Sequence, residues 1–343
     1  MKRHYRVIFP IGHGGMAFEQ VENCSVLYDC GSSSSPARVE MYIEILKNHG
    51  IQKIDYLFIS HFDQDHVNGL NALLNSKINV RRVVMSYIPQ IYRGVFDLVT
   101  RGAYNAILNL IRRLEGEVIE VGEEREDGVR GKRFQIPVWE WIAESMLRND
   151  EFDKLRYVFL KKGIDPDQLS DLTYIERMKK DINNAFKNVF GPQGPNAKGL
   201  IVLSKKKQGV QLIGAELQNA ICCCSPYCPQ RSLSATFQNT GCLYVGDARL
   251  KTAKDVDEIN DFLRHNLVDD QLLLMQLPHH GSKYNIKNDL HNQIYADVYF
   301  VHDSTDKRIC QSHRLHSDLT AAHKLYVVKD ICPDLILGIC EIK

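Results

Sequence analysis

Residues 60–69 read SHFDQDHVNG and place four potential metal ligands, His61, Asp63, Asp65 and His66, within six positions. The run before them, residues 54–60 (IDYLFIS), is mostly apolar and has the length of a buried strand. Imidazole nitrogen and carboxylate oxygen are the ligands that divalent transition metals use in catalytic sites. In a turn that leads into a helix, residues 61 and 63 can face one way and residues 65 and 66 another. The stretch therefore predicts a site for two adjacent metal ions, since helix capping would explain one aspartate and not the whole set.

The composition is that of an ordinary globular chain. It has 343 residues, of which 44% are hydrophobic and 25% charged, and its net charge is +1. This length allows one large domain or two small ones. The net charge gives no global electrostatic argument for binding nucleic acid or a membrane. The run Lys205–Lys207 is a candidate basic patch, although such runs are more often solvated turns.

The chain ends and the cysteines indicate a location. The first residues lack the apolar region of a signal peptide, and no stretch approaches the roughly 20 apolar residues of a membrane span. We therefore expect a cytoplasmic protein without a membrane partner. Three of the ten cysteines are consecutive, Cys222 to Cys224, with Cys228 close by. Their spacing permits two zinc ligands, but without a second pair a reduced loop is favoured.

Strand-like runs alternate with turns at both ends of the chain, and helical spacing dominates the middle. Residues 97–190 are rich in Glu, Lys, Arg and Leu, and we predict helices there at 103–114, 138–147 and 172–189. Strand character returns after residue 200, with polar residues repeatedly placed at strand ends. The order predicts an α/β sandwich with its site at one edge. It divides into 1–96, a helical insertion at 97–190, and 191–343.

The pattern His-x-Asp-x-Asp-His after a strand resembles the metal motif of the metallo-β-lactamase superfamily, whose usual form has histidine where Asp63 stands. The aspartate form is similar to the hydrolase domain of the DNA-uptake channel ComEC and to its stand-alone relatives. Four further stretches resemble that family in the same order: 10–17 (PIGHGGMA), 26–31 (VLYDCG), 243–247 (LYVGD) and 278–282 (PHHGS). The resemblance runs from residue 5 to about 320. It implies an αββα sandwich, with the helical insertion as an addition to it.

The resemblance also implies roles for individual residues. The first metal would be held by His61, Asp63 and a bridging Asp247, and the second by Asp65, His66, Asp247 and one histidine of the 279–280 pair, for which His279 is preferred. His280 would lie close to the substrate, and Asp29 would orient the metal loop from behind. His313 lies where the family carries a late histidine motif, and it could contact a substrate phosphate, complete the first metal or donate a proton. His302, at a strand end, is a weaker candidate.

Two features depart from the usual family pattern. No histidine occurs between His66 and His265, where the superfamily usually supplies another ligand for the first metal. Carboxylate also replaces imidazole at Asp63, which shifts preference from Zn²⁺ toward harder ions such as Mn²⁺. We therefore expect two divalent ions, Zn²⁺ or Mn²⁺.

The function that this set of motifs implies is hydrolysis of a phosphodiester in nucleic acid by a metal-activated hydroxide, with Asp65, His280 and His313 as catalytic residues. Two alternatives remain open. One is a hydrolase of a small ester, lactone or cyclic nucleotide, since this fold serves many substrates. The other is an effector subunit of a prokaryotic system, such as a defence system, that is activated by a protein partner docked on the 97–190 insertion.

Overall fold

The computed structural model describes residues 2–342 except 101, 123–124, 127–128, 192–197, 221–234, 269, 283, 304–314, 316–317, 320–323 and 330–334. His313 and the cysteines from Cys222 to Cys228 lie outside the described residues, so the predictions made for them stay predictions.

Within the described part of the chain, the backbone forms twenty strands and nine α-helices. The strands are β1 (Lys2–Ile8), β2 (Gly14–Val21), β3 (Cys24–Ser32), β4 (Lys53–Ile54), β5 (Tyr56–Phe58), β6 (Asn79–Val80), β7 (Arg82–Ser86), β8 (Glu117–Val121), β9 (Arg125–Glu126), β10 (Val129–Arg130), β11 (Lys132–Gln135), β12 (Trp139–Ser145), β13 (Leu200–Lys206), β14 (Leu212–Ala220), β15 (Ala235–Phe237), β16 (Gly241–Tyr244), β17 (Leu272–Gln276), β18 (Ala296–Asp303), β19 (Leu325–Lys329) and β20 (Leu335–Ile342). The helices are α1 (Pro36–Asn48), α2 (Gln64–Val67), α3 (Leu70–Ser76), α4 (Arg93–Val99), α5 (Ala103–Arg113), α6 (Asn149–Lys161), α7 (Leu172–Phe190), α8 (Ala253–Asn266) and α9 (Leu290–Gln293).

Two large sheets carry the fold. Among the described strands, one sheet has the order β15-β14-β20-β1-β2-β3-β5-β7-β8 and the other β11-β12-β13-β16-β17-β18-β19. In the first sheet β3, β5, β7 and β8 run parallel, and in the second β16 to β19 run parallel. Because the carboxyl ends of parallel strands meet at one edge of a sheet, the loops that follow β5, β16 and β17 gather there.

Three apolar cores lie between four layers. The first packs α1 and α3 to α7 against the outer face of the first sheet, and the second lies between the two sheets. The third packs α8 and α9 against the outer face of the second sheet. This layering confirms the predicted α/β sandwich, with sheets flanked by helices on both sides.

A buried polar cluster joins the two sheets. The Glu19 carboxylate on β2 accepts hydrogen bonds from Arg6 Nε at 2.7 Å, Trp141 Nε1 at 2.9 Å and the Tyr244 hydroxyl at 2.7 Å. His4 Nε2 lies 3.1 Å from the same carboxylate, and the His4 ring stacks on a tryptophan of β12. Burial opposes the charge of Glu19, but Arg6 and His4 hold its pKa well below its usual range. Arg6 and Glu19 therefore form a charged pair, and each makes further hydrogen bonds. A buried ion pair is tolerated under this condition.

The predicted helical insertion is smaller than 97–190. The structure places β8, β11 and β12 of that segment in the two large sheets, so they belong to the sandwich. The predicted helix at 138–147 is wrong, because Trp139–Ser145 is a strand between β11 and β13. Every residue of this strand is buried, so the alternation that marks a half-exposed strand is absent and its apolar spacing does not distinguish strand from helix. The helical excursion is α6 and α7, between β12 and β13.

The lysine run is not a solvated turn throughout. Lys205 lies in β13, is buried, and its Nζ pairs with Glu140 at 3.0 Å. That lysine is therefore part of the sheet and not of a basic patch. None of the described helices combines the length and apolar character needed to cross a membrane.

Candidate metal centre

The metal loop begins where β5 ends and turns into α2. Asp63 stands just before α2 with an extended backbone, at φ −72° and ψ 145°, and Asp65 and His66 lie in the first turn of that helix. The start of α2 presses against β3: a Cβ on Gly31 would lie 2.5 Å from the backbone nitrogen of Val67. Glycine at position 31 thus permits the close approach that brings α2 to the end of β3.

Asp29 and Ser60 fix the orientation of two histidines. The buried Asp29 carboxylate accepts hydrogen bonds from the Ser60 backbone nitrogen at 2.8 Å, the Ser60 hydroxyl at 2.7 Å and His66 Nδ1 at 2.8 Å. Ser60 Oγ also lies 2.9 Å from His61 Nδ1. Because the Ser60 hydroxyl donates its hydrogen bond to Asp29, Oγ accepts from His61 Nδ1. These contacts favour Nδ1 as the position of the proton in each neutral imidazole, so that Nε2 faces the site, as metal ligation requires.

Asp247 lies at the centre of the site, in the loop after β16. Gln276 Oε1 holds this loop by accepting from the backbone nitrogens of Val245 and Gly246, each at 3.0 Å. Gly246 has φ 52°, and a Cβ there would lie 2.6 Å from Ser60 Cβ. The loop after β16 therefore packs directly on the loop after β5, which joins the two sheets at the site.

Asp247 Oδ1 forms a ring with three other side chains, those of Asp65, His66 and His280. Asp65 Oδ2 lies 3.1 Å from His280 Nε2 and 3.9 Å from His66 Nε2. Asp247 Oδ1 lies 3.3 Å from His66 Nε2 and 3.8 Å from His280 Nε2. Two ligands of a tetrahedral ion with bonds of 2.0–2.1 Å are about 3.4 Å apart. The edges of the ring bracket that spacing, so the ring has dimensions suited to one divalent ion.

The atoms of this site fit a cation. His61 Nε2, His66 Nε2 and Asp247 Oδ1 are buried and, among the described residues, have no hydrogen-bond partner. Leaving buried polar atoms without partners costs about 1–3 kcal/mol each, so such atoms in one cluster indicate a ligand. The same three residues form one group whose ligand atoms lie within 4.8 Å of one another.

The electrostatics favour the same conclusion. Burial would raise the pKa of Asp247, but the neighbouring His61 and His66 hold it well below its usual range. Burial likewise disfavours a charge on His66, and the carboxylates of Asp29 and Asp247 nevertheless raise its pKa well above the ordinary value. The buried carboxylates thus draw positive charge into the site, which a divalent ion would supply.

His13 is a site residue that the sequence analysis did not single out. It lies in the glycine-rich turn before β2, with Nε2 3.5 Å from Asp65 Oδ2 and its ring 3.7 Å from that of His280. These three form a second group with metal-ligand spacing. Burial lowers the pKa of His13 to about 4, so the ring is neutral and able to ligate at neutral pH. A histidine between the glycines of a turn, Gly12-His13-Gly14-Gly15, was the available signal.

The other predicted residues take distinct positions. Asp63 is 40% exposed, with Oδ2 3.8 Å from His61 Nε2. His280, for which a place near the substrate was expected, is buried and faces Asp65. His279 faces Asp247, with its Nδ1 2.7 Å from Oδ2. The ring of His302 does not reach this group; its backbone oxygen lies 3.2 Å from His280 Nδ1.

Comparison with known proteins agrees with the fold. A family model described as "Metallo-beta-lactamase superfamily" matches residues 18–142, which include Asp29 and the whole metal loop. The match supports membership of this chain in that superfamily. Together with the clustered histidines and aspartates, it supports a metal-dependent hydrolase.

Solved structures with similar backbones are distant in sequence. A diphosphatase from the PhnP family has 9% identity and a TM-score of 0.46, covering 99% of this chain and 100% of that one. The metallo-beta-lactamase fold protein YhfI from Bacillus subtilis has 8% identity and a TM-score of 0.47, covering 97% and 98%. The short form of human tRNase Z has 10% identity and a TM-score of 0.42, covering 90% and 97%. Among curated proteins, none matches this sequence.

Proposed function

We propose that this chain is a metal-dependent phosphodiesterase that cleaves nucleic acid. The observation that carries the proposal is the buried Asp247 carboxylate with imidazoles facing both of its oxygens, His66 and His280 at Oδ1 and His61 and His279 at Oδ2. A carboxylate shared in this way is suited to bridge two ions, and paired ions are the common device for attack on phosphodiesters.

The candidate ligands are residues already described. The ligand atoms of His61, His66 and Asp247 lie within metal-ligand spacing of one another, as do those of His13, Asp65 and His280. When bound, divalent ions in this centre would supply Lewis-acid polarisation of a phosphoryl oxygen and of the attacking water. The mixture of imidazole and carboxylate suits Zn²⁺ or Mn²⁺.

The residues around the centre define where a substrate would approach. Asp63, His279 and His13 are partly exposed and form a rim, while His61, His66 and Asp247 lie beneath them. Neutral His13 on this rim can donate its ring N–H to a phosphate oxygen or accept a hydrogen bond from water. The partial exposure of these three side chains gives a substrate access to the centre.

The choice of nucleic acid rests on the sequence resemblance. The aspartate at position 63 and the histidine pair at 279–280 are the features shared with the ComEC-like hydrolases. Neither feature is a base-reading device, so the proposal covers single-stranded DNA, duplex DNA and RNA alike.

The experiment is a substrate panel with a matched inactive variant. The metal-stripped protein is incubated with single-stranded DNA, duplex DNA, RNA and a chromogenic phosphodiester, each with Mn²⁺, Zn²⁺ or Mg²⁺. The variant carries Asp65→Ala and His66→Ala and is checked for folding by circular dichroism. Metal-dependent cleavage that the variant lacks supports the proposal and identifies the substrate class. Equal cleavage by the variant would show that the activity does not come from this site.

A second candidate is a subunit that cleaves only after a protein partner docks on the α6–α7 excursion. One observation favours it: Tyr157 and Leu160 on α6 and Leu172 at the start of α7 are 59%, 57% and 70% exposed. Large exposed apolar side chains on one excursion are typical of interaction surfaces. Stoichiometric metal binding without cleavage of any panel substrate would favour this candidate or a small-molecule hydrolase over the nuclease.

A further inference from the structure

The two oxygens of Asp247 have matching surroundings. Oδ1 lies 3.3 Å from His66 Nε2 and 3.8 Å from His280 Nε2. Oδ2 lies 3.7 Å from His61 Nε2 and 2.7 Å from His279 Nδ1. Each oxygen therefore faces two imidazoles, one from the metal loop and one from the adjacent pair after β17.

An unusual backbone separates the adjacent histidines. His279, His280 and Gly281 have φ of 47°, 51° and 75°, so two non-glycine residues in succession occupy the left-handed region. Such a conformation costs about 1–3 kcal/mol per residue and persists where the surroundings enforce it. Here it directs neighbouring side chains to opposite oxygens of one carboxylate. His280 is held further by its Nδ1, which lies 3.2 Å from the backbone oxygen of His302.

Each side of Asp247 also has a carboxylate of its own. Asp63 Oδ2 lies 3.8 Å from His61 Nε2, on the Oδ2 side. Asp65 Oδ2 lies 3.1 Å from His280 Nε2, on the Oδ1 side. Each oxygen of Asp247 therefore faces two histidines, and a further aspartate lies beside one histidine of each pair.

We propose that His279 and His280 ligate different ions. His279 completes the set of His61, Asp63 and Asp247 Oδ2, while His280 completes the set of Asp65, His66 and Asp247 Oδ1. The inference rests on the proposed metal-dependent function and goes beyond it, because it assigns each histidine of the pair to one ion. His279 Nδ1 and Asp247 Oδ2, which lie 2.7 Å apart, would both ligate the ion on this side of the site.

This division accounts for the missing ligand. The chain has no histidine between His66 and His265, so the loop that would ordinarily supply a third side chain to the first ion cannot do so with imidazole. His279, which follows a strand of the second sheet, faces Asp247 Oδ2, the same oxygen that His61 faces from the first sheet. The left-handed turn then has a function, since a regular backbone would direct only one of the two histidines at the carboxylate.

The test counts bound ions in single and double variants of the full chain. The metal-stripped protein is titrated with Co²⁺, desalted and analysed for metal content, and its visible absorption spectrum reports on coordination. Glycine is the replacement of choice, because a residue with φ near +50° is favourable for glycine and His279→Gly should not reduce the thermal stability of the metal-free protein. His265→Ala, an exposed histidine on α8, is the matched control.

The expected pattern is specific to the division of the pair. Wild type and the control bind two ions, while His279→Gly and His280→Gly each bind one, with affinity for the lost ion reduced roughly 100-fold or more. Adding His61→Ala to His279→Gly removes no further ion, whereas adding His66→Ala to it removes the second. Two ions bound to His279→Gly with wild-type affinity would overturn the inference and leave the proposed metal centre intact. A wild type that binds no ion would instead refute the proposed function.

Discussion

The replacement of Asp29 by asparagine tests how the metal loop is organised from behind. Asp29 touches none of the predicted ions, but its Oδ2 accepts from both the Ser60 hydroxyl at 2.7 Å and His66 Nδ1 at 2.8 Å. In Asp29→Asn the side chain keeps its shape, and Oδ1 can still accept from the Ser60 backbone nitrogen. An NH₂ group then stands where two donors point.

The magnitude follows from what the amide does to the two imidazoles. With an NH₂ group facing His66 Nδ1, the ring is favoured to move its proton to Nε2, which removes the lone pair that faces Asp247. Ser60 must also turn its proton away from Asp29, so the hydroxyl that orients His61 at 2.9 Å is disturbed as well. Loss of such an orienting partner typically reduces metal affinity 10- to 100-fold, or about 1.4–2.7 kcal/mol. Because two ligands are affected, we expect the upper end, about 100-fold.

The assay is competition for Zn²⁺ or Mn²⁺ against a chromogenic chelator, with the thermal stability of the metal-free protein measured beside it. Asp55→Asn is the matched control: Asp55 is also buried, accepts from the Ser25 backbone nitrogen at 3.0 Å, and pairs with Lys53 away from the site. The control should keep wild-type metal affinity. An Asp29→Asn protein that is folded and binds metal as tightly as wild type would refute the orienting role.

Three further predictions concern packing, pH and metal linkage. Gly15→Ala should reduce metal affinity at least as much as Asp29→Asn, because a Cβ there would lie 2.7 Å from His66 Nδ1; wild-type affinity in a calorimetric titration would contradict this contact. Burial lowers the pKa of His4 from 6.5 to about 4, so the unfolded chain takes up this proton at a higher pH than the folded chain. The free energy of unfolding should therefore fall by on the order of 3 kcal/mol as the pH decreases from 6.5 to 4. His4→Gln should therefore flatten the pH dependence of urea unfolding in that window, and an unchanged slope would count against the buried neutral ring. Metal at about 100 times its dissociation constant should raise the unfolding free energy of the wild type by about 2.7 kcal/mol. A chelator should reverse this increase, and the unfolding free energy of Asp247→Ala should not change when metal is added.

The fold class could be predicted because the motifs lie at strand ends. The apolar run before His61 and the Gly-Asp after β16 each mark a place where a strand ends and polar side chains begin. The helices predicted at 103–114 and 172–189 carry amphipathic spacing and were predicted correctly within one residue at each end. The strand Trp139–Ser145 was mistaken for a helix, since burial on both faces removes the alternation that would have revealed it.

The candidate site was predictable as a set of residues and not as an arrangement. The short spacing of His61, Asp63, Asp65 and His66 limits which of them can face the same way, so their grouping followed from local geometry. The placement of His279 and His280 depends on two consecutive left-handed residues, a conformation too uncommon outside glycine to be predicted from sequence. The glycines around His13 marked a turn, but its contact with Asp65 was not predictable, because it joins segments that are distant in sequence and meet through the packing of β2 on α2.

The most direct test of the central claim is the metal content of the full chain purified without chelator, measured by plasma mass spectrometry before and after reconstitution with Zn²⁺ or Mn²⁺. The account predicts a stoichiometric transition metal that Asp247→Ala fails to retain, because both ligand sets share that carboxylate. A wild-type protein that contains no transition metal and takes none up, or an Asp247→Ala protein that holds as much metal as wild type, would contradict the metal centre on which the proposed function rests.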